Sequence, residues 1–175
     1  MLSVLLGQKN YKAANKVLGN VVSLNIIIGV IFMAIALIFI DPILYFFGAS
    51  ENTLPYAKEY MTIILIGNVV THLYFGLNAA MRSSGNPKKA MGLTIFTVVF
   101  NAILDPIFIF ALDMGIAGAG YATVISQFVS FCVLLFGMQK LGSIKIRFAN
   151  IQFKWYYYKN IINGGLPSLA RQSLA

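Results

Sequence analysis

Apolar and polar positions along this chain do not alternate with the short period of a strand. They fall into apolar runs too long for the core of a soluble domain. A membrane-spanning helix needs about 20 such residues, and four runs reach that length. The first extends from Val17 to about Phe47, with Asp41-Pro42 near its outer end. The second covers Thr53 to Met81, with Pro55 in its first turn, where a missing N–H leaves nothing unsatisfied. The third covers Lys88 to Leu112 and is interrupted by Pro106. The fourth covers Ile116 to Met138. The short run before Gly7 reads as the end of a helix, and residues 160–175, with Gly164-Gly165-Leu166-Pro167 near their start, read as the opening of another. The pattern predicts an all-α integral membrane bundle of four full spans with a partial helix at each end, truncated on both sides.

Composition supports a lipid environment. Of the residues, 59% are hydrophobic and 10% charged, against about 25% charged in soluble domains. The net charge of +8 raises the question of nucleic acid, but the bases form short clusters between apolar runs rather than one basic face, which excludes that partner class. Lys9, Lys12 and Lys16 precede the first span; Arg82, Lys88 and Lys89 separate the second from the third; Lys140, Lys145, Arg147, Lys154 and Lys159 follow the fourth. The intervening linkers hold Glu51, Lys58 and Glu59, or Asp113 alone. This alternation follows the positive-inside rule. It predicts a multi-pass plasma-membrane protein whose linkers around 9–16, 82–89 and 139–159 are cytoplasmic. Residues 142–159 mix these bases with Ile144, Phe148, Phe153, Trp155 and three tyrosines, as an interfacial segment would. Met1 opens on Leu2-Ser3-Val4 without a basic stretch, so the start does not read as a signal peptide. Cys132 is the only cysteine, which leaves no intramolecular disulfide and no cysteine metal cluster.

Polar groups inside a bilayer are costly unless they pair or face water. In the second span Asn68, Thr71, His72 and Asn78 fall near one helical face. In the third, Thr94, Thr97, Asn101 and Asp105 step by three, four and four; in the fourth, Thr123, Ser126, Gln127 and Ser130 share a face. The economical packing turns the three stripes toward one another or toward a shared water-filled cavity. Asp105 is the one acid placed deep in a span, at a cost of about 2.5–3.5 kcal/mol on insertion scales. A carboxylate there is neutralised by a proton or by a small cation such as sodium. Pro106 withdraws the hydrogen bond from the Ala102 carbonyl and kinks the helix beside it, and the freed carbonyl is a further oxygen for a cation. Asn68, His72, Gln127 and Pro106 are candidate cavity-lining residues. Each neutral side chain can equally serve as interhelical glue, and His72 lacks the Cys, Asp or Glu neighbours of a metal site.

Three stretches together resemble the multidrug and toxic compound extrusion (MATE) transporters. Residues 77–87, LNAAMRSSGNP, are similar to a conserved-looking loop motif of that family; residues 101–110, NAILDPIFIF, resemble its helix containing an Asp-Pro pair; residues 115–127, GIAGAGYATVISQ, resemble the opening of its sixth helix. The resemblance runs through nearly the whole chain in the family's order. It implies a twelve-helix protein of two six-helix lobes, of which residues 1–159 supply the end of helix two, helices three to six and the cytoplasmic linker, and residues 160–175 the start of helix seven. It also implies a cation site on Asn78, Asn101, Asp105 and Thr123, completed by an acid on a first helix that this chain does not contain. The coupling ion is a proton or sodium, with no other cofactor. The partners are the lipid bilayer, drug-like small molecules and the transporter's remaining helices.

The function so implied is cation-coupled antiport of small amphipathic, often cationic, compounds. Two alternatives remain: a lipid-linked oligosaccharide flippase of the same superfamily, and a non-transporting membrane scaffold subunit. The flippase expects several bases deep inside the spans, and no Lys or Arg falls mid-span. An enzyme is the least economical reading, because no second acid, paired histidine or activated nucleophile accompanies Asp105.

Overall fold

The computed structural model describes residues 2–140. The interfacial segment 142–159 and the opening of a further span at 160–175 lie outside the described residues. A short helix α1 (Leu2–Gly7) leads into α2 (Tyr11–Ile38), followed by α3 (Ile40–Phe46), α4 (Leu54–Ser83), α5 (Pro87–Pro106), a π-helical turn (Ile107–Ala111) and α6 (Gly115–Lys140). No strand occurs among the described residues. Four helical stretches are long and apolar enough to cross a membrane: Tyr11–Ile38, Leu54–Ser83, Pro87–Ala111 and Gly115–Gln139.

The first span differs from expectation at both ends. It starts at Tyr11, not Val17, because Asn10 caps it: its Oδ1 accepts the Ala13 N–H at 3.1 Å. Lys12 and Lys16 therefore ride on the helix. The helix also breaks at Phe39, and α3 continues as a separate segment. Pro42 sits four residues past Ile38, lacks the N–H that would bond the Ile38 carbonyl, and crowds it with its ring. Pro106 acts differently from the simple kink expected. α5 runs through it, and the next turn widens so that Leu112 N–H bonds Ile107 C=O at 2.9 Å, five residues back.

The turns obey local chemistry. Gly85 takes φ +83° between α4 and α5. Its N–H bonds Arg82 C=O and the Asn86 N–H bonds Met81 C=O, at 3.2 and 3.3 Å, which satisfies the last carbonyls of α4. Pro87 then opens α5 at the position where proline is tolerated.

α4 is the central helix, in contact with α2, α5 and α6. Small residues let the backbones approach. A Cβ on Gly67 would lie 2.4 Å from Val124 Cγ2 of α6, as expected where close packing replaces hydrophobic exclusion. Gly76 sits against Asn25 of α2 and Gly29 against Val69 of α4, so α2 and α4 are antiparallel. Leu18, Val22, Tyr74, Leu77, Met81, Leu93 and Leu134 form the main buried cluster. Large apolar side chains cover the outside, among them Phe46 at 86% and Phe110 at 77% exposure, a surface suited to lipid or to further helices.

Candidate cation-binding site

Asp105 is the penultimate residue of α5, half-buried. Asn101, one turn earlier on the same face, donates Nδ2 to Asp105 Oδ1 at 3.2 Å and to Thr123 Oγ1 of α6 at 3.4 Å. Thr123 donates in turn to the Ala119 carbonyl at 2.9 Å. A carboxylate, an amide and a hydroxyl from two helices thus share one small region. α6 reaches it because Gly118 lets that helix touch the π-helical turn: a Cβ there would lie 2.7 Å from the Phe108 carbonyl carbon and oxygen. No Lys or Arg occurs between Lys89 and Lys140, so the bases of the two helices stand at their far ends, roughly 24 Å along α5 from Asp105 in the case of Lys89.

An open cavity of about 170 Å³ adjoins the trio, lined by Tyr74, Phe75, Thr94, Thr97, Val98, Asn101, Thr123, Ser126 and Gln127. Members of the α5 and α6 stripes converge on it, while α4 contributes Tyr74 and Phe75 rather than its own stripe. Gln127 accepts a hydrogen bond from Thr71, tying α6 to α4. Thr97 Oγ1 lies 2.7 Å from Ser130 Oγ and 3.0 Å from the Tyr74 hydroxyl, a buried knot joining three helices.

Not all expected residues meet there. Asn78 is buried but donates to the Ala90 carbonyl and to Thr94 Oγ1, at 3.1 and 3.4 Å. Those partners precede Asn101 by 11 and 7 residues, roughly 16 and 10 Å along the helix axis. Asn78 therefore fastens α4 to α5 away from Asp105. His72 turns toward α2, where its ring approaches Gly29, and it does not line the cavity. Asn68 is half-buried with its Nδ2 unpaired inside the protein. Pro106 itself is exposed. The sequence reading passed over Tyr74, whose hydroxyl belongs to the knot, and the polar positions of α2. Asn20 there is fully buried and Asn25 bonds the Val21 carbonyl. Tyr74 follows Thr71 by three residues, so its hydroxyl was legible at helical spacing.

The sequence profile of the MatE family matches residues 1–107. The chain belongs to that family. Among MatE relatives, it is 32% identical over 172 residues to the probable multidrug resistance protein NorM of Thermotoga maritima, covering 93% of this chain and 36% of that protein. It is 31% identical over 146 residues to the probable multidrug resistance protein YoeA of Bacillus subtilis, covering 79% and 32%. In three dimensions it superposes on an inward-facing multidrug resistance MATE family transporter with a TM-score of 0.88 and 27% identity, over 95% of this chain and 38% of that one. The chain thus spans about a third of the length of the curated relatives it matches. The MatE fold accounts for the all-α membrane architecture, and its relatives are transport proteins rather than enzymes.

Proposed function

We propose that this chain forms part of a secondary active exporter in the plasma membrane, in which a proton or sodium ion entering at Asp105 drives the outward passage of small amphipathic, often cationic, molecules. The observation that carries this reading is the Asp105–Asn101–Thr123 contact on two helices whose stretch between Lys89 and Lys140 holds no base. Residues 1–159 would then belong to the first lobe of a twelve-helix transporter and 160–175 to the start of its seventh helix, with the basic linkers facing the cytoplasm.

The chemistry follows from charge. An ionised carboxylate in a low-dielectric region with no counter-charge favours whatever neutralises it. In the structure the Asn101 amide nitrogen faces Asp105 Oδ1. A sodium ion takes oxygen ligands; it would require the Asn101 amide to turn its Oδ1 inward beside Asp105 and Thr123 Oγ1. A proton on Asp105 would instead donate to Asn101 Oδ1. Either change alters the link between α5 and α6, and so biases two arrangements of these helices; substrate biases them oppositely. The membrane potential alone contributes about 2.3 kcal/mol per 100 mV for each charge that enters.

Full-length protein carrying Asp105→Asn, assayed for fluorescent cationic dye export in membrane vesicles, should lose at least tenfold of its gradient-driven rate while still binding dye. Undiminished gradient-dependent export would overturn the role of Asp105. Imposing a sodium gradient and a pH gradient separately in the unaltered protein identifies the coupling ion.

A further inference from the structure

A second cleft lies far from Asp105, at the basic end of the bundle. It opens between the start of α5 and the end of α6, with Met81 of α4 beneath it. Its volume is about 560 Å³, and Met81, Lys89, Gly92, Phe96, Leu134 and Gly137 are among its lining residues. That size falls in the ~300–1,000 Å³ range of ligand sites. Two glycines make the slot. A Cβ on Gly92 would meet nothing within 4 Å, and one on Gly137 would meet only Met81 Cε at 3.8 Å. From Lys89 to Phe96 the cleft runs seven residues along α5, roughly 10 Å, from the helix end into the apolar span.

The charge around its mouth is one-sided. Lys89 is exposed, as are Lys88 and Arg82 beside it. The acids of the chain are Asp41, Glu51, Glu59, Asp105 and Asp113. Four of them sit at or near the opposite ends of the helices, and Asp105 lies in the far half of α5. The ion pair Lys58–Asp41, at 2.8 Å, also lies at that opposite end. None of the three bases at the mouth has an acid within reach among the described residues. The cleft therefore combines an apolar slot of membrane depth with an uncompensated ammonium at its rim.

We propose that this cleft binds one anionic phospholipid from the leaflet at the basic end of the bundle, with the phosphate at Lys89 and an acyl chain laid along Gly92, Phe96 and Gly137. A zwitterionic lipid would fill the slot without answering the charge, and a free phosphate would answer the charge without filling the slot. Lipid binding here is independent of the cation site.

The experiment is native mass spectrometry of the purified full-length protein in detergent micelles. The probes are palmitoyl-oleoyl phosphatidylglycerol, phosphatidylcholine with the same chains, and glycerol 3-phosphate. Phosphatidylglycerol should bind about fivefold more tightly than phosphatidylcholine, the effect of one lysine at an anionic headgroup. Lys89→Gln should remove that preference, and Gly92→Leu should weaken both lipids without changing the melting temperature of the lipid-free protein. Equal binding of the two lipids, an unaltered preference in Lys89→Gln, or displacement by glycerol 3-phosphate would overturn the proposal. A lowered lipid-free melting temperature in Gly92→Leu would also overturn it, because another segment of the protein would then occupy the slot.

Discussion

At the scale of single residues, the buried hydroxyls around Thr97 separate structure from transport. Thr97 Oγ1 has the Leu93 carbonyl at 2.8 Å, Ser130 Oγ at 2.7 Å and the Tyr74 hydroxyl at 3.0 Å. One hydroxyl has one proton and two lone pairs, so Thr97 gives its proton to the Leu93 carbonyl or to Ser130 Oγ and can accept from the Tyr74 hydroxyl. Thr97→Val keeps the shape and removes the node. Interhelical hydrogen bonds in membranes are worth about 0.6 kcal/mol on average and about 1.7 at most. Thr97→Val should therefore lower stability by about 0.6–1.7 kcal/mol in reversible unfolding from mixed micelles, and Thr97→Ser by less. The coupling-ion dependence of export should not change, unlike in Asp105→Asn; a changed ion dependence would place Thr97 in the cation path. The stripe of α5 was legible because a polar side chain in lipid must have a reason, and a step of three or four residues names the face. Which neighbour each face meets was not. Asn68, Thr71, His72 and Asn78 spread over about a third of the α4 circumference at 100° per residue. One edge of that arc faces α6 and α5, the other α2.

At the scale of elements, two prolines show where pattern reading stops. Hydropathy sees one apolar run through Phe39 and another through Ile107, because breaking a helix and widening a turn cost no apolar side chain. Pro42 and Pro106 mark both places in the sequence, but the response of each turn depends on its neighbours. The π-helical turn has a visible neighbour in Gly118, which admits the Phe108 carbonyl against α6. Gly118→Ala would put a methyl 2.7 Å from backbone atoms, a clash that no rotamer relieves. It should cost about 1–3 kcal/mol, the usual penalty of overpacking, and loosen the Asn101–Thr123 link one turn away. Gly92→Ala, facing open space, should stay within about 0.5 kcal/mol of the parent. Thermal melts of the two variants side by side provide the check. Equal melting temperatures would mean that α6 does not hold the π-helical turn at Gly118.

At the scale of the whole molecule, antiparallel helices sort the charges to opposite ends. α2 and α4 run in opposite directions, as the pairing of Gly76 with Asn25 and of Gly29 with Val69 requires. With the short turn at Gly85, this brings Lys9, Lys12, Lys16, Arg82, Lys88 and Lys89 to one end and Asp41, Glu51, Glu59 and Asp113 to the other. The translocation machinery retains basic segments on the cytoplasmic side, so the basic end should face inward. Asp105 is eight residues from Asp113, roughly 12 Å along a helix, which sets the carboxylate nearer the acidic end of the bundle than the basic one. Under the proposed function, a coupling ion driven inward would meet Asp105 early in its path. Cysteine accessibility tests this orientation. In a Cys132→Ala background, Asn52→Cys at the acidic end and Ser83→Cys at the basic end both place the thiol at an exposed position. A membrane-impermeant maleimide added to intact cells should label Asn52→Cys readily and Ser83→Cys only after the membrane is permeabilised. The reverse pattern would invert the orientation, and Asp105 would then take its ion from the cytoplasm, where the inward gradient could not deliver it first.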